Sequence, residues 1–177
     1  MSSSKFTIRV AETPEDIATT RVLFLAYHAW LDIDLTFQDF ESEVSSLPGK
    51  YAPVNGGRIL LAYMGDEDWP VGCIALRDIS DTFARWHVHT EPPDPARKIG
   101  EVKRLYTLPS ARGCGIGSAM INAVLEAARQ EGYAELRLDT LPRMQGAIKL
   151  YSRAGFVVTE KYYDTDLEGT IFMKYVV

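Results

Sequence analysis

The chain has 177 residues, of which 46% are hydrophobic and 24% charged, and its formal net charge is −5. This length fits one domain whose core can fold without disulfides or metals, and no apolar run approaches the roughly 20 residues of a membrane span. The negative charge disfavours nucleic acid as the main partner.

The first half of the chain predicts strands and short helices. Residues 1–5 carry no secretory signal and are expected to be a flexible N-terminus, followed by one domain over 6–177. The elements predicted here are a strand at 6–10, a helix from a capping box at Thr13–Asp16, a short helix within 34–47, strands at 58–65 and 70–79 around a turn at 65–68, and an exposed proline-rich loop at 90–100.

The second half alternates strands with helices. Its predicted elements are a strand at 101–108, a helix from Ile116 to about Gly132, a strand at 135–140, a helix over 144–155, and strands at 156–160 and 170–177. Together the two halves predict an α/β fold, with a mixed central sheet of about seven strands flanked by about four helices.

Three glycines on alternate positions stand between the strand at 101–108 and the next helix, in the sequence "RGCGIGSAM" from Arg112 to Met120. A loose connector is one interpretation of such a loop. The other is an anion site, because bare amides at a helix N-terminus bind phosphate. A Walker loop would need a lysine between Gly117 and Ser118, and a dinucleotide-binding fingerprint would need glycine at Ser118.

The loop resembles a known phosphate-binding motif. Arg112-x-x-Gly115-x-Gly117 is similar to the pyrophosphate motif of the GNAT superfamily of acetyl-CoA-dependent N-acetyltransferases, and "LYSRAGF", from Leu150 to Phe156, resembles its second signature. The resemblance implies an acyltransferase that uses acetyl-CoA as co-substrate and no metal. The residues it implies for acetyl-CoA are Leu105, Tyr106, Thr107, Arg112, Gly113, Cys114, Gly115, Ile116, Gly117 and Ser118.

Two residues stand at positions where the resemblance implies catalysis. Tyr151 takes the place of the tyrosine that protonates the leaving thiolate, although a tyrosine packed on the last helix is the alternative. Glu101 has the spacing of a base used by some members, and the alternative is a strand residue paired with Lys103 or Arg104. Asp139 is the reserve candidate for the base.

Other positions are less well defined by the motifs. Met144 replaces an asparagine that contacts acetyl-CoA in many members of the superfamily. His87 and His89 alternate as metal ligands can, but without an acidic or cysteine cluster we interpret them as surface or loop residues. Candidates for the 3′-phosphate of coenzyme A are Arg97, Lys103, Arg104 and Arg143.

The acceptor is expected to be a small-molecule amine. Residues that could form its site are Tyr27, Trp30, Tyr162, Tyr163, Asp32 and Asp34. A protein lysine or N-terminus as acceptor, and a non-catalytic module that binds acetyl-CoA, remain alternatives. Two cysteines, Cys73 and Cys114, outside any CxxC pair suit a cytoplasmic protein without a membrane partner, and a homodimer stays open.

Overall fold

The fold is a seven-stranded sheet in the order β1-β2-β3-β4-β5-β7-β6, seen in a computed structural model that describes residues 6–35, 39–65, 68–86, 94 and 96–177. The strands are β1 (Phe6–Val10), β2 (Arg58–Met64), β3 (Pro70–Asp78), β4 (Ile99–Thr107), β5 (Glu135–Thr140), β6 (Val157–Thr159) and β7 (Ile171–Val176). The α-helices within the described ranges are α1 (Pro14–Leu31), α2 (Phe40–Ser45), α3 (Ser80–Trp86), α4 (Ile116–Gln130) and α5 (Gln145–Arg153).

Alternate residues of β2 face two cores on opposite sides of the sheet. Leu60 and Ala62 pack in the core that also holds the buried face of α4 and Tyr151 of α5. Ile59 and Leu61 pack in the core formed with α1 and α2. Because strand side chains alternate with a period of two, one short apolar strand supports both helical layers.

The start of α1 follows from local sequence. The Thr13 hydroxyl accepts a hydrogen bond from the Asp16 amide at 3.1 Å, and the Asp16 carboxylate accepts one from the Thr13 amide at 3.0 Å. This is the predicted capping box, with Pro14 at the first helical position, where its missing amide costs nothing.

A β-bulge and a divergence of strands shape the second half of β4. Cys73 pairs with Tyr106 and Ala75 pairs with Lys103, so two residues of β4 face one residue of β3, and Arg104 has φ +58°. On its other side β4 pairs with β5 in parallel only as far as Glu101 and Arg137. Beyond that point the two strands separate, which leaves backbone groups of β4 available to a ligand.

Helix α3 is the element that the sequence did not predict. Its first residue, Ser80, is held by hydrogen bonds from its amide and its hydroxyl to Asp78 Oδ1, at 2.8 and 2.6 Å, and the hydroxyl accepts from the Ile99 amide at 2.9 Å. The hydrogen bond between Ser80 and Ile99 joins residues 19 positions apart, so the local pattern of apolar residues could not predict it. The seven strands and the other helices were predicted.

Some predictions fall outside the described residues. These are the flexible N-terminus at 1–5, part of the turn at 65–68, part of the loop at 90–100, and the pair His87 and His89. Within the described ranges, every helix is too short or too polar to cross a membrane.

Candidate active site

A groove lies where the end of β4, the N-terminus of α4 and one face of α5 meet. Gly115 precedes α4 with φ +86°, a left-handed conformation that favours glycine, and a Cβ added there would meet open space. The amides of the first turn of α4 lack acceptors four residues earlier within the helix, and the helix dipole favours an anion beside them. At the third glycine of the loop, Gly117, close packing also favours glycine, because a Cβ there would lie 2.9 Å from the Leu150 side chain of α5.

The groove is strongly basic although the chain is acidic. Its volume is about 690 Å³, and among the described residues its lining has four basic side chains and no acidic one. Those four are Arg112, Arg143, Lys149 and Arg153. Since the charges of these four side chains have the same sign, the groove attracts an anion carrying several charges.

The guanidinium of Arg112 is fixed at the mouth of this groove. Its central carbon lies 4.7 Å from the ring centroid of Trp30 and 5.9 Å from that of Tyr106. Its Nε donates to the carbonyl oxygen of Thr107 at 3.1 Å. Stacking on an aromatic ring and a backbone hydrogen bond restrain a side chain that would otherwise sample many rotamers.

A small cavity, the inner cavity, opens beside the groove where β4 and β5 diverge. Leu105, Met144 and Ala147 line both spaces, so the inner cavity lies next to the groove. Tyr151 lines it and is 7% exposed. Burial, together with the nearby Tyr27 and Asp139, raises the pKa of the Tyr151 phenol above its ordinary value, so the hydroxyl keeps its proton at neutral pH.

An ion pair lies between the inner cavity and a second cavity. Lys103 of β4 and Asp139 of β5 approach to 3.3 Å between Nζ and Oδ1, across the gap between the diverging strands. Lys103 also lines a second space of about 290 Å³, the outer cavity. The outer cavity therefore adjoins the inner cavity, as the inner cavity adjoins the groove.

Glu101 lies on the wall of the outer cavity and is 2% exposed. Its Oε2 accepts from Arg77 Nε at 2.6 Å, and its Oε1 accepts from the Tyr162 hydroxyl at 2.7 Å. Burial tends to raise the pKa of this carboxyl, but the charges of Lys103 and Arg77 and the Tyr162 hydrogen bond hold it below its ordinary value. Such a carboxylate binds a proton weakly.

The structure brings most of the predicted acetyl-CoA residues together. Nine of the ten line the groove, namely Leu105, Tyr106, Thr107, Arg112, Gly113, Gly115, Ile116, Gly117 and Ser118. Cys114 belongs to the same loop, and its side chain is exposed. Tyr162 and Tyr163 line the outer cavity, whereas Tyr27 lines the inner cavity and Trp30 the groove.

The candidates for the 3′-phosphate separate into two groups. Arg143 lines the groove. Lys103 and Arg104 do not, because they are buried in ion pairs with Asp139 and Glu43. The partner of Arg97 is Glu135, whose Oε2 lies 2.7 Å from Nη2 of the arginine.

Two groove residues were missed by sequence reasoning. Lys149 and Arg153 lie one turn apart on α5 and both line the groove. Their spacing of four residues on one helix face was visible in the sequence. What could not be seen was which face of α5 turns toward the glycine loop. Among the residues that the structure describes, no group of three or more His, Cys, Asp or Glu side chains is arranged to hold a metal ion.

Comparisons with known proteins identify acetyltransferases as relatives of this chain. The family model described as "Acetyltransferase (GNAT) family" matches residues 24–156. An uncharacterized N-acetyltransferase of Schizosaccharomyces pombe is 29% identical, over 98% of this chain and 96% of its own length.

Solved structures share the fold. A GNAT-family acetyltransferase from Staphylococcus aureus superposes with a TM-score of 0.71 at 16% identity, covering 97% of this chain and 98% of its own. The Salmonella typhimurium protein yncA, solved with its cofactor acetyl-CoA, has a TM-score of 0.66 at 17% identity, covering 97% of this chain and 94% of its own.

Proposed function

We propose that this chain, which belongs to the acetyltransferase (GNAT) family, transfers the acetyl group of acetyl-CoA to a primary amine of a small molecule. The observation that carries this proposal is that the basic groove adjoins the inner cavity and the inner cavity adjoins the outer cavity, since each neighbouring pair shares lining residues.

The groove suits coenzyme A by charge and by shape. In the part of the chain that the structure describes, four basic side chains and no acidic one line it, and a bare glycine loop with φ +86° at Gly115 exposes the first amides of α4. The pyrophosphate would lie on those amides and on Arg112. Lys149 and Arg153 are proposed to bind the 3′-phosphate together with Arg143. When bound, acetyl-CoA supplies an activated acetyl thioester.

The end of β4 positions the reacting end of the ligand. Leu105, Tyr106 and Thr107 lie on the part of β4 that no longer pairs with β5, and we assign the backbone groups left free there to the pantetheine arm and the acetyl carbonyl. Met144 occupies the boundary between the groove and the inner cavity, so a thioether provides the contact that an amide makes in related proteins.

Tyr151 is proposed to hold the proton that the leaving sulfur needs. Its phenol lines the inner cavity, and its raised pKa keeps it protonated at neutral pH. The thiol of coenzyme A has an ordinary pKa of about 8.5, below that of the phenol. The phenol would give its proton to the sulfur as the carbon–sulfur bond breaks, and the proton released by the amine would restore the phenol.

The proton released by the amine needs a carboxylate, and two are near. Both oxygens of Glu101 are engaged and its pKa is lowered, which weighs against the base role predicted for it. Asp139 lines the inner cavity together with Tyr151, and its ion pair with Lys103 engages Oδ1 at 3.3 Å, longer than either contact of Glu101. We therefore propose that Asp139 accepts the proton as the nitrogen–carbon bond forms, and that Glu101 holds Arg77 and Tyr162 in place.

Release of free thiol from acetyl-CoA tests this function. A panel of small amines and lysine-containing peptides would be incubated with the protein, and the acetylated product identified by mass spectrometry. We expect amine-dependent release with small amines. Turnover of peptides alone would establish a protein acceptor instead, and acetyl-CoA binding without turnover of any amine would establish a non-catalytic module.

A further inference from the structure

The outer cavity has an aromatic wall. Its lining includes Phe83, Trp86, Tyr162 and Tyr163. The rings of Tyr162 and Tyr163 meet edge-on with centroids 5.3 Å apart. Trp86 is half exposed, so part of its ring is open to a ligand. Edge-to-face and stacked contacts with such a wall stabilise an aromatic group more than a flexible polar chain.

The carboxylates that an incoming amine would meet, Glu101 and Asp139, already have hydrogen-bond or ion-pair partners. Glu101 accepts from Arg77 and Tyr162, and Asp139 is paired with Lys103. At the rim, Asp164 lies 2.6 Å from Lys161 Nζ. A polyamine, which carries several positive charges, would have to displace these cations to be neutralised.

The charges that remain on the wall are of both signs. Among the described residues, Asp39 and Lys50 line the outer cavity and form no ion pair with another described side chain. Lys50 lies in a short 3-10 helix, and the neighbouring residue of that helix, Tyr51, is buried in the core, which fixes the backbone position of Lys50. One acid and one base complement a ligand that carries one charge of each sign.

We propose that the acceptor is a zwitterionic aromatic amine. This inference rests on the proposed function and specifies the chemical class of its small-molecule acceptor. The ring lies against Trp86 and Phe83, the carboxylate of the acceptor binds Lys50, and its ammonium group enters past Asp39. The amine then reaches the Lys103–Asp139 pair at the boundary of the inner cavity, where it gives up its proton.

Binding to the protein saturated with coenzyme A tests this class without depending on turnover. Calorimetry would compare para-aminomethylbenzoate and phenylalanine with benzylamine, which has the ring and the amine but no carboxylate, and with spermidine. We expect at least one of the two zwitterions to bind about tenfold more tightly than benzylamine, the scale of one hydrogen bond to a charged group.

Two substitutions locate the contacts. Lys50→Met should remove the advantage of the zwitterion and leave benzylamine affinity unchanged. Trp86→Leu should weaken binding of every aromatic amine, whereas Trp69→Leu, at an equally exposed tryptophan between β2 and β3, should not.

The outcomes separate the two proposals. If coenzyme A does not bind, the proposed function is wrong. If coenzyme A binds while spermidine or benzylamine binds as tightly as both zwitterions, or none of the four ligands binds, the acceptor class is wrong and the acetyl-CoA site stands. An unchanged preference in the Lys50→Met variant also contradicts the proposal.

Discussion

Lys103 Nζ and Asp139 Oδ1 lie 3.3 Å apart and join two strands, β4 and β5, that have already stopped pairing with each other. The pair forms the boundary between the inner cavity and the outer cavity, since Lys103 lines both. In the proposed function, an amine that enters by the outer cavity would pass beside this pair to reach Tyr151. The separation of β4 and β5 would then provide both the space for the thioester and the place for proton transfer.

The identity of the base can be tested by pH profiles. Asp139→Asn should remove or shift the acidic limb of kcat/KM, because that limb reports the base of the free enzyme. Glu101→Gln should keep the limb, since the Glu101 carboxylate is held by Arg77 and Tyr162. Thermal melting would verify that both variants fold. The reverse pattern, with the limb lost only in Glu101→Gln, would restore Glu101 as the base.

Tyr151→Phe keeps the ring, which packs edge-on against Phe156 at 5.6 Å, and removes only the hydroxyl. Turnover should fall about 10²-fold with acetyl-CoA affinity little changed, the usual scale of general acid help. Tyr133→Phe is the matched control, because that buried hydroxyl donates to the Gly56 carbonyl, away from the cavities. Equal activity of the two variants would make Tyr151 a packing residue.

Trp30 should act on acetyl-CoA through Arg112. Replacing the ring by leucine removes the cation–π contact at 4.7 Å and releases the guanidinium. Acetyl-CoA affinity should fall about threefold, which corresponds to roughly 0.6 kcal/mol, within the range of an exposed cation–π pair. Trp69→Leu serves as control. The idea fails if Trp30→Leu raises KM for the amine and leaves acetyl-CoA binding unchanged.

A buried ion pair between Glu43 of α2 and Arg104 of the bulge predicts acid sensitivity. Burial tends to raise the pKa of Glu43, but hydrogen bonding and charge from Arg104, 2.8 Å away, lower it below its ordinary value. A lowered folded-state pKa stabilises the protein above the unfolded value of about 4.3, and this contribution is lost as the pH falls through the folded value.

Glu43→Gln should therefore cost about 3 kcal/mol of unfolding free energy at neutral pH, with the parent and the variant converging below about pH 4. Urea unfolding across pH measures both quantities. Glu126→Gln, at an exposed pair with Arg129, should change little at any pH. A constant difference between Glu43→Gln and the parent down to pH 3 would contradict this account.

Local chemistry in the sequence predicted much of the fold and part of the site. The capping box at Thr13 and Asp16 and the glycine loop before Ile116 depend on residues within a few positions of each other. The strand periods and the order of elements then follow, and with them the place where the groove forms.

Distant partners explain what the sequence did not predict. Lys103 and Arg104 were candidates for a phosphate site, but their partners Asp139 and Glu43 lie 36 and 61 residues away in the chain. Only the folded sheet places those acids beside the bulge. The same holds for Lys149 and Arg153, whose role in the groove depends on how α5 packs against α4.

Acetyl-CoA binding at the glycine loop is the central claim, and a pair of glycine variants tests it most directly. Gly115 and Gly132, at the two ends of α4, both have positive φ, +86° and +74°, and at both an added Cβ would meet open space. Valine at either position should therefore strain the backbone to a similar degree. Calorimetry with acetyl-CoA should show a loss of affinity of tenfold or more, about 1.4 kcal/mol, in Gly115→Val, and parental affinity in Gly132→Val. Parental affinity in a folded Gly115→Val variant would contradict the account.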